Sequence, residues 1–286
     1  FRATAGGLGL TGMVLRIALK LVPVKADAAD VRYERLPDID AFLDRLAPGA
    51  AKPPFWFGWI DALATGRHMG RGILETAQYA ASDADVLPAP PSRRVPLDMP
   101  GPLLHPALIA RYNARRWQRL PEQGVSVRKR LAPFYFPLDH LSGFNRIYGR
   151  RGFYSIHAGI PEGERSGVKA LLAEIVRARA GSIASVLKPM GGPGEGFISF
   201  PLKGYALAID LPRRPGVEEL HARLERITLA HGGRLYAAKD ALMTAEGFAR
   251  MFPELDRFRA VLARVDPDGR FQSDMSRRLR IRRDLA

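Results

Sequence analysis

Tyr205-Ala206-Leu207-Ala208-Ile209-Asp210-Leu211, followed by Val217, Leu220, Leu224 and Ile227 and then by Gly232-Gly233, is the stretch that decides the fold class. The first seven residues read as a strand set off by a glycine turn. The next four fall at helical spacing, and the paired glycines supply a C-terminal stop. Arg234 to Ala237 then reads as a short strand. Upstream, Val168, Leu171, Leu172, Ile175 and Val176 recur at i, i+3, i+4, i+7 and i+8, which predicts an amphipathic helix ending at Gly181. Between the two helices, Ser185–Lys188 and Phe197–Pro201 read as further strands, and helices are expected around Ala245–Met251 and Glu254–Val265. This order is α+β and lacks the regular alternation of a doubly wound sheet.

The first half is less regular. Leu15, Ile17, Leu19 and Leu21 alternate with Arg16 and Lys20, a period of two that predicts a half-buried strand. Pro37–Leu46 fits a short helix, Phe55–Leu63 an aromatic-rich strand, Leu87–Pro102 a proline-rich loop and Leu108–Leu120 a basic helix.

The chain has 286 residues, 47% of them apolar, enough for one large or two smaller domains. Its longest apolar candidate, Met13–Val24, is interrupted by Arg16, Lys20 and Pro23, short of the roughly 18 apolar residues a membrane span needs. With no signal-peptide pattern either, a cytoplasmic or membrane-peripheral location is expected. The chain opens at Phe1 without an initiator Met, so an upstream continuation is expected. No cysteine is present, which excludes disulfides, thiolate metal sites and Cys nucleophiles. The histidines show no metal-ligand spacing, and no metal is expected. The formal charge of +15, from 44 basic and 29 acidic residues, attracts polyanions or follows from an Arg-rich composition alone. The run Arg278, Arg280, Arg282 and Arg283 reads as a solvated tail.

Gly7, Gly9 and Gly12 spell G-x-G-x-x-G. A dinucleotide fingerprint must follow a strand and open a helix within a βαβ unit, and the run after Gly12 alternates like a strand instead. A tight turn, or a glycine turn whose bare backbone approaches a cofactor, are the readings left open.

The opening Ala3-Thr4-Ala5-Gly6-Gly7-Leu8-Gly9-Leu10-Thr11-Gly12 resembles the late flavin-domain segment of the decaprenylphosphoryl-ribose oxidases, in the vanillyl-alcohol-oxidase-like flavoprotein superfamily with its PCMH-type FAD-binding domain. Matches continue in order through Trp59-Ile60-Asp61, Phe134-Tyr135-Phe136-Pro137-Leu138-Asp139, Asn145-Arg146-Ile147-Tyr148-Gly149 and Gly152-Phe153. They go on through Leu187-Lys188, Ser199-Phe200-Pro201, Gly204-Tyr205, Gly232-Gly233-Arg234-Leu235-Tyr236-Ala237-Ala238-Lys239-Asp240, Met251-Phe252-Pro253 and Ser273-Asp274-Met275-Ser276-Arg277-Arg278-Leu279.

The resemblance implies an antiparallel-sheet substrate domain with flanking helices over residues 26–233. It places the end of a FAD-binding domain at 1–25 and a return to that domain at 234–286. It implies FAD as cofactor, with Gly7, Gly9, Thr11, Gly12, Val14 and Tyr236 against it and Lys239 beside ring and substrate. Lys188, Tyr135 and Trp59 correspond to residues lining the substrate pocket. The implied substrate is a sugar or polyprenyl-phosphate sugar oxidised at a secondary alcohol; an aldonolactone or alditol oxidase of the same superfamily is the alternative. A short-chain reductase partner and a peripheral membrane contact are further implications. Nucleic acid is not expected, although a basic polyanion-binding module is the non-enzymatic reading of the charge.

Departures fall at the substrate end. Ser155 and His157 stand where the family carries two amides, and Ala206 and Ala208 where it carries an amide and a cysteine. His157 is open to two readings, a partner for a substrate oxygen or a satisfied strand histidine. Lys239, without the resemblance, reads as a solvated lysine.

Overall fold

The helical spacings become buried faces. In a computed structural model, which describes residues 1–47 and 54–282, Val168, Leu171, Leu172 and Ile175 are buried along α4 (Arg165–Arg177). Val217, Leu220 and Leu224 do the same on α5 (Val217–Ala230). Each such side chain contributes about 1.5–3 kcal/mol when taken fully out of water. The short helix α1 (Ile39–Arg45) starts where the Asp38 carboxylate accepts the Ala41 N–H at 2.8 Å, an N-cap.

These helices cover one face of an eight-stranded sheet. Its strands are β1 (Ala28–Leu36), β2 (Phe55–Ile60), β3 (Gly72–Tyr79), β5 (Val125–Arg130), β7 (Phe153–Pro161), β8 (Ser185–Met190), β9 (Gly204–Pro212) and β10 (Arg234–Leu235). The order is β10-β7-β9-β8-β2-β3-β1-β5, and every pairing is antiparallel. Two-residue strands β4 (Arg93–Arg94) and β6 (Leu141–Ser142) pair separately. Phe42 of α1 lies so close over Gly58 and Gly72 that a Cβ at either would come within 2.8 Å of its ring. The helix-covered face is thereby packed to backbone contact.

The opposite face is roofed by α2 (Pro106–Gln118) and α3 (Leu131–Tyr135). Asp61, fully buried at the end of β2, holds α2 down: it accepts from Asn113 Nδ2 at 3.0 Å and from Arg71 Nε and Nη2 at 3.1 Å. Trp117 Nε1 donates to the Leu36 carbonyl at 2.9 Å. After β10 come α6 (Ala245–Met251), α7 (Leu255–Val265) and α8 (Asp274–Arg278), which join α4 and α5 in one core.

Three expectations need correction. Met13 to Val24 forms no strand: Leu15, Ile17, Leu19 and Leu21 are between 72% and 84% exposed, and among the described residues nothing pairs with them. Alternation specifies a face, but a strand exists only where a neighbour offers its backbone. Phe197–Pro201 is a turn, because β9 and β10 occupy both edges of β7 and the Ser199 hydroxyl captures the Gly196 N–H at 3.0 Å. The basic run is only in part a solvated tail: Arg280 is exposed, but Arg278 pairs with Asp240 at 2.7 Å and Arg282 with Asp266 at 2.5 Å. Arg283 lies outside the described residues.

Two outcomes follow from these contacts. Asp61→Ala strands the Arg71 guanidinium and the Asn113 amide, and should lower stability by about 3–5 kcal/mol in urea unfolding. Brief trypsin treatment should cut after Arg16 and Lys20 before any site in the sheet, read by intact-mass analysis.

Candidate functional site

Directly opposed residues in an antiparallel sheet point to the same side, as do residues two apart along a strand. His157 of β7 opposes Ala208, Ala208 opposes Val186, and Val186 opposes Trp59. Lys188 lies two residues beyond Val186, and Ser155 two before His157. The register therefore puts Trp59, Ser155, His157 and Lys188 on one face, the one that α2 and α3 roof. Trp59 is a closed part of that face, with its Nε1 donating to the Ile183 carbonyl at 2.9 Å and Arg116 stacked 4.3 Å above the ring. Ser155 hydrogen-bonds the Asp210 carboxylate, which also accepts from the Tyr148 hydroxyl at 3.0 Å.

His157 is the exceptional group. It is 8% exposed, and neither ring nitrogen has a hydrogen-bond partner among the described residues. Phe200 and Tyr236 enclose the ring, with centroids at 5.0 and 5.6 Å. Burial, then the charges of Lys188 and Lys239, press its pKa from 6.5 down to about 4, so the imidazole is neutral at pH 7. Burial and Lys239 also lower the pKa of Lys188. Neither lysine has an ion-pair partner among the described residues.

Tyr236 and Lys239 reach the site through the backbone. The Tyr236 N–H donates to the His157 carbonyl at 2.9 Å, and the Lys239 N–H to the Tyr236 carbonyl at 3.0 Å. Asp240 anchors this turn from behind, accepting from the Leu242 and Met243 N–H groups and pairing with Arg278. The motif block held that anchor in plain view, but its role depends on a partner 38 residues away.

Tyr135 stands further along the same face. Its ring packs edge-on against Phe55 at 5.2 Å, and its hydroxyl meets that of Tyr79 at 3.1 Å. Burial and that neighbour push its pKa up to about 12. Tyr135 and Lys188 share a cavity of about 460 Å³. Sequence reasoning missed Glu75 and Lys129 on its wall. Burial raises the Glu75 pKa, while Lys129 and a hydrogen bond from Tyr33 oppose the rise. Charged residues inside apolar strands were the available signal, but neither β3 nor β5 was recognised as a strand.

The glycine turn is joined to this cluster indirectly. Residues 1–12 pack on the 194–199 loop, with the Phe197 N–H donating to the Arg2 carbonyl at 3.2 Å, and Phe200 continues that loop to Tyr236 at 4.9 Å. Gly7 is closed: a Cβ there would meet the Ala3 carbonyl oxygen at 1.9 Å. Gly9 and Gly12, both at positive φ, face open space. The Thr11 hydroxyl donates to Thr4 at 3.1 Å, and Val14 is exposed with the segment that follows.

Residues 208–279 match the D-arabinono-1,4-lactone oxidase family. Over 98% of its length the chain is 31% identical to the decaprenylphosphoryl-beta-D-ribose oxidase of Mycolicibacterium smegmatis, and it spans 63% of that protein. It is also 31% identical, over 98% of its length, to the uncharacterized protein in the mprA 5' region of Streptomyces coelicolor, spanning 80% of it. Among solved structures, BBE-like number 28 from Arabidopsis thaliana superposes with a TM-score of 0.50 at 13% identity, covering 90% of this chain and 57% of that one, a likeness of fold alone. With its antiparallel sheet, its flanking helices and 31% identity over 98% of its length to the Mycolicibacterium and Streptomyces relatives, the chain belongs to the vanillyl-alcohol-oxidase, PCMH-type superfamily of FAD-binding oxidoreductases and is related to the decaprenylphosphoryl-ribose oxidases.

Proposed function

We propose that the chain is the substrate-facing portion of an FAD-dependent oxidoreductase that oxidises a secondary alcohol of a sugar or sugar phosphate. The observation that carries this reading is the convergence of two unpaired lysines on a buried, neutral, unpartnered His157 beside Tyr236. The Mycolicibacterium relative, a decaprenylphosphoryl-beta-D-ribose oxidase, adds support for a sugar bearing a phosphate group.

The residues fit a flavin ring edge. Gly9 and Gly12 offer bare backbone to a flat group, Tyr236 offers an aromatic face, and Lys239 offers a fixed positive charge. When bound, FAD supplies the hydride acceptor. Lys239 stabilises negative charge as it develops across the reacting centre, a role worth about 10²–10³ in rate for one preorganised donor. His157, held neutral, presents one N–H and one lone pair, so it can orient the alcohol by donating a hydrogen bond to its oxygen or accepting one from its hydroxyl, while the proton released with the hydride passes to solvent. Lys188 positions a second oxygen, and the aromatic rings keep water from His157.

The match of residues 208–279 favours a second reading, an aldonolactone or alditol oxidase. Rapid reoxidation of the reduced flavin by oxygen would select it.

The protein, supplied with the part of its relatives' chain that it does not match, should take up FAD and show flavin absorbance. A folded, colourless product would overturn the reading. In the flavin-loaded protein, Lys239→Ala should slow flavin reduction roughly 10²-fold while leaving the unfolding midpoint in place, because Lys239 is exposed and makes no ion pair among the described residues. His157 supplies a test without flavin. Its folded pKa lies below the unfolded value, so its contribution to stability is full above pH 6.5 and is lost as pH falls toward 4. Between pH 7 and 4.5 the protein should lose about 2–3 kcal/mol more than His157→Gln, measured by urea unfolding at both pH values.

A further inference from the structure

Away from the lysine and histidine cluster, two Arg-Arg pairs meet at one end of the β7–β9 pairing. Gly149-Arg150-Arg151-Gly152 is a tight turn leading into β7, closed by the Gly152 N–H on the Gly149 carbonyl at 3.1 Å. Both glycines sit at φ 69°, and a Cβ on Gly149 would strike the Met99 carbonyl oxygen at 2.8 Å. The turn is therefore locked, with the two arginines at its corners. Pro212-Arg213-Arg214-Pro215 leaves β9 between two prolines. Phe153 opposes Pro212, and the Arg213 N–H donates to the Gly152 carbonyl at 3.0 Å, so the register lays the two pairs side by side.

All four arginines line a cavity of about 490 Å³, on whose wall Asp98 is the one acidic residue. Elsewhere in the chain arginines commonly meet carboxylates, as Arg2 does at Glu254, Arg71 at Asp61 and Arg282 at Asp266. Among the described residues these four form no ion pair. Arg213 stacks on Tyr154 at 4.8 Å, and Arg214 donates to the carbonyls of Ala178 and Arg179. Burial and the charge of Arg179 lower the pKa of Arg214. Like charges gathered in rigid turns repel one another and lower stability unless an anion enters between them. Guanidinium groups match phosphate oxygens in a two-point fork. Next in sequence to the lining residues Asp98 and Leu104, Leu97 and Leu103 are 77% and 53% exposed.

We propose that this cavity binds the phosphate group of a ligand through Arg150, Arg151, Arg213 and Arg214, at a site separate from the lysine and histidine cluster. The phosphate comes from a lipid headgroup or from a soluble phosphate, and substitution of the exposed Leu97 and Leu103 distinguishes the two. This holds whether or not the flavin reading does.

The test uses the whole chain, inorganic phosphate by calorimetry, and co-sedimentation with phosphatidylcholine vesicles with and without 30 mol% phosphatidylglycerol (~30%, a surface charge of the cytoplasmic-leaflet kind). Binding to phosphate or to the anionic vesicles should weaken roughly 25-fold in the double variant Arg150→Gln, Arg151→Gln, about a factor of five for each basic residue at an anionic surface. Both side chains are exposed, so the melting temperature should not fall. Arg150→Lys with Arg151→Lys should keep the charge and lose part of the affinity. Leu97→Ser with Leu103→Ser should weaken vesicle binding alone if the source is lipid, and change neither if it is soluble phosphate. Removing the same charge elsewhere, by Arg226→Gln with Arg250→Gln on α5 and α6, should change neither. Absence of binding to both probes, or equal losses in the cavity and control variants, would overturn the proposal.

Discussion

The pairing register from β7 through β9 and β8 to β2 is the constraint on which both sites depend. One residue of slip would turn His157 and Lys188 into the helix-packed face and bring Ile156 and Leu187 out. That slip is blocked from behind. Leu187 opposes Leu207 and Gly58, and Phe42 fills the space over Gly58, so the buried face admits one register. Burial on the helix side thus sets the chemistry on the other. The same register, followed to the end of β7 and β9, brings the two Arg-Arg turns together.

Charge is then distributed in a way that separates paired from uncompensated cations. Asp61, Asp240 and Asp266 carry buried carboxylates paired with Arg71, Arg278 and Arg282, of which Arg278 stays exposed, and each pair pins one segment to another. A buried pair contributes little net stability, yet losing one partner costs several kcal/mol, so such pairs act as locks. Lys188, Lys239 and the four cavity arginines lack that compensation. The surplus charge of +15 is accordingly not spread evenly over a solvated surface. Part of it is concentrated where protein carboxylates are missing.

What the sequence made legible was mostly helical. Period 3.6 in α4, α5, α6 and α7 is written into neighbouring residues, and the helices formed where the spacing placed them. Strands were read where they are mostly apolar, as β9 is with Asp210 its one charge and β8 with Lys188 its one charge, and missed where charges alternate through them, as in β1, with Asp30, Arg32, Glu34 and Arg35. The segment from Met13 to Val24 erred the other way, because its alternation says nothing about whether a neighbour exists. At the site, the resemblance placed Lys188, Tyr236 and Lys239, and the register joined them to His157. Asp240, Glu75 and the Arg-Arg turns needed coordinates, because each acts through residues distant in sequence.

The departures from the family pattern acquire a single physical sense on this sheet. Ala206 opposes Lys188 and Gly159, while Ala208 opposes Val186 and His157. Two alanines and a glycine therefore form the floor between the ammonium and the imidazole, where the resemblance implies an amide and a cysteine in place of the alanines. Ser155 opposes Asp210 two residues further along the same face. The polar groups left over that floor are cations and one neutral imidazole. Amides can satisfy either partner of a hydrogen bond, whereas an ammonium only donates. On the function proposed for the chain, this stretch of the face would favour electron-rich oxygen, with His157 supplying its one ring lone pair.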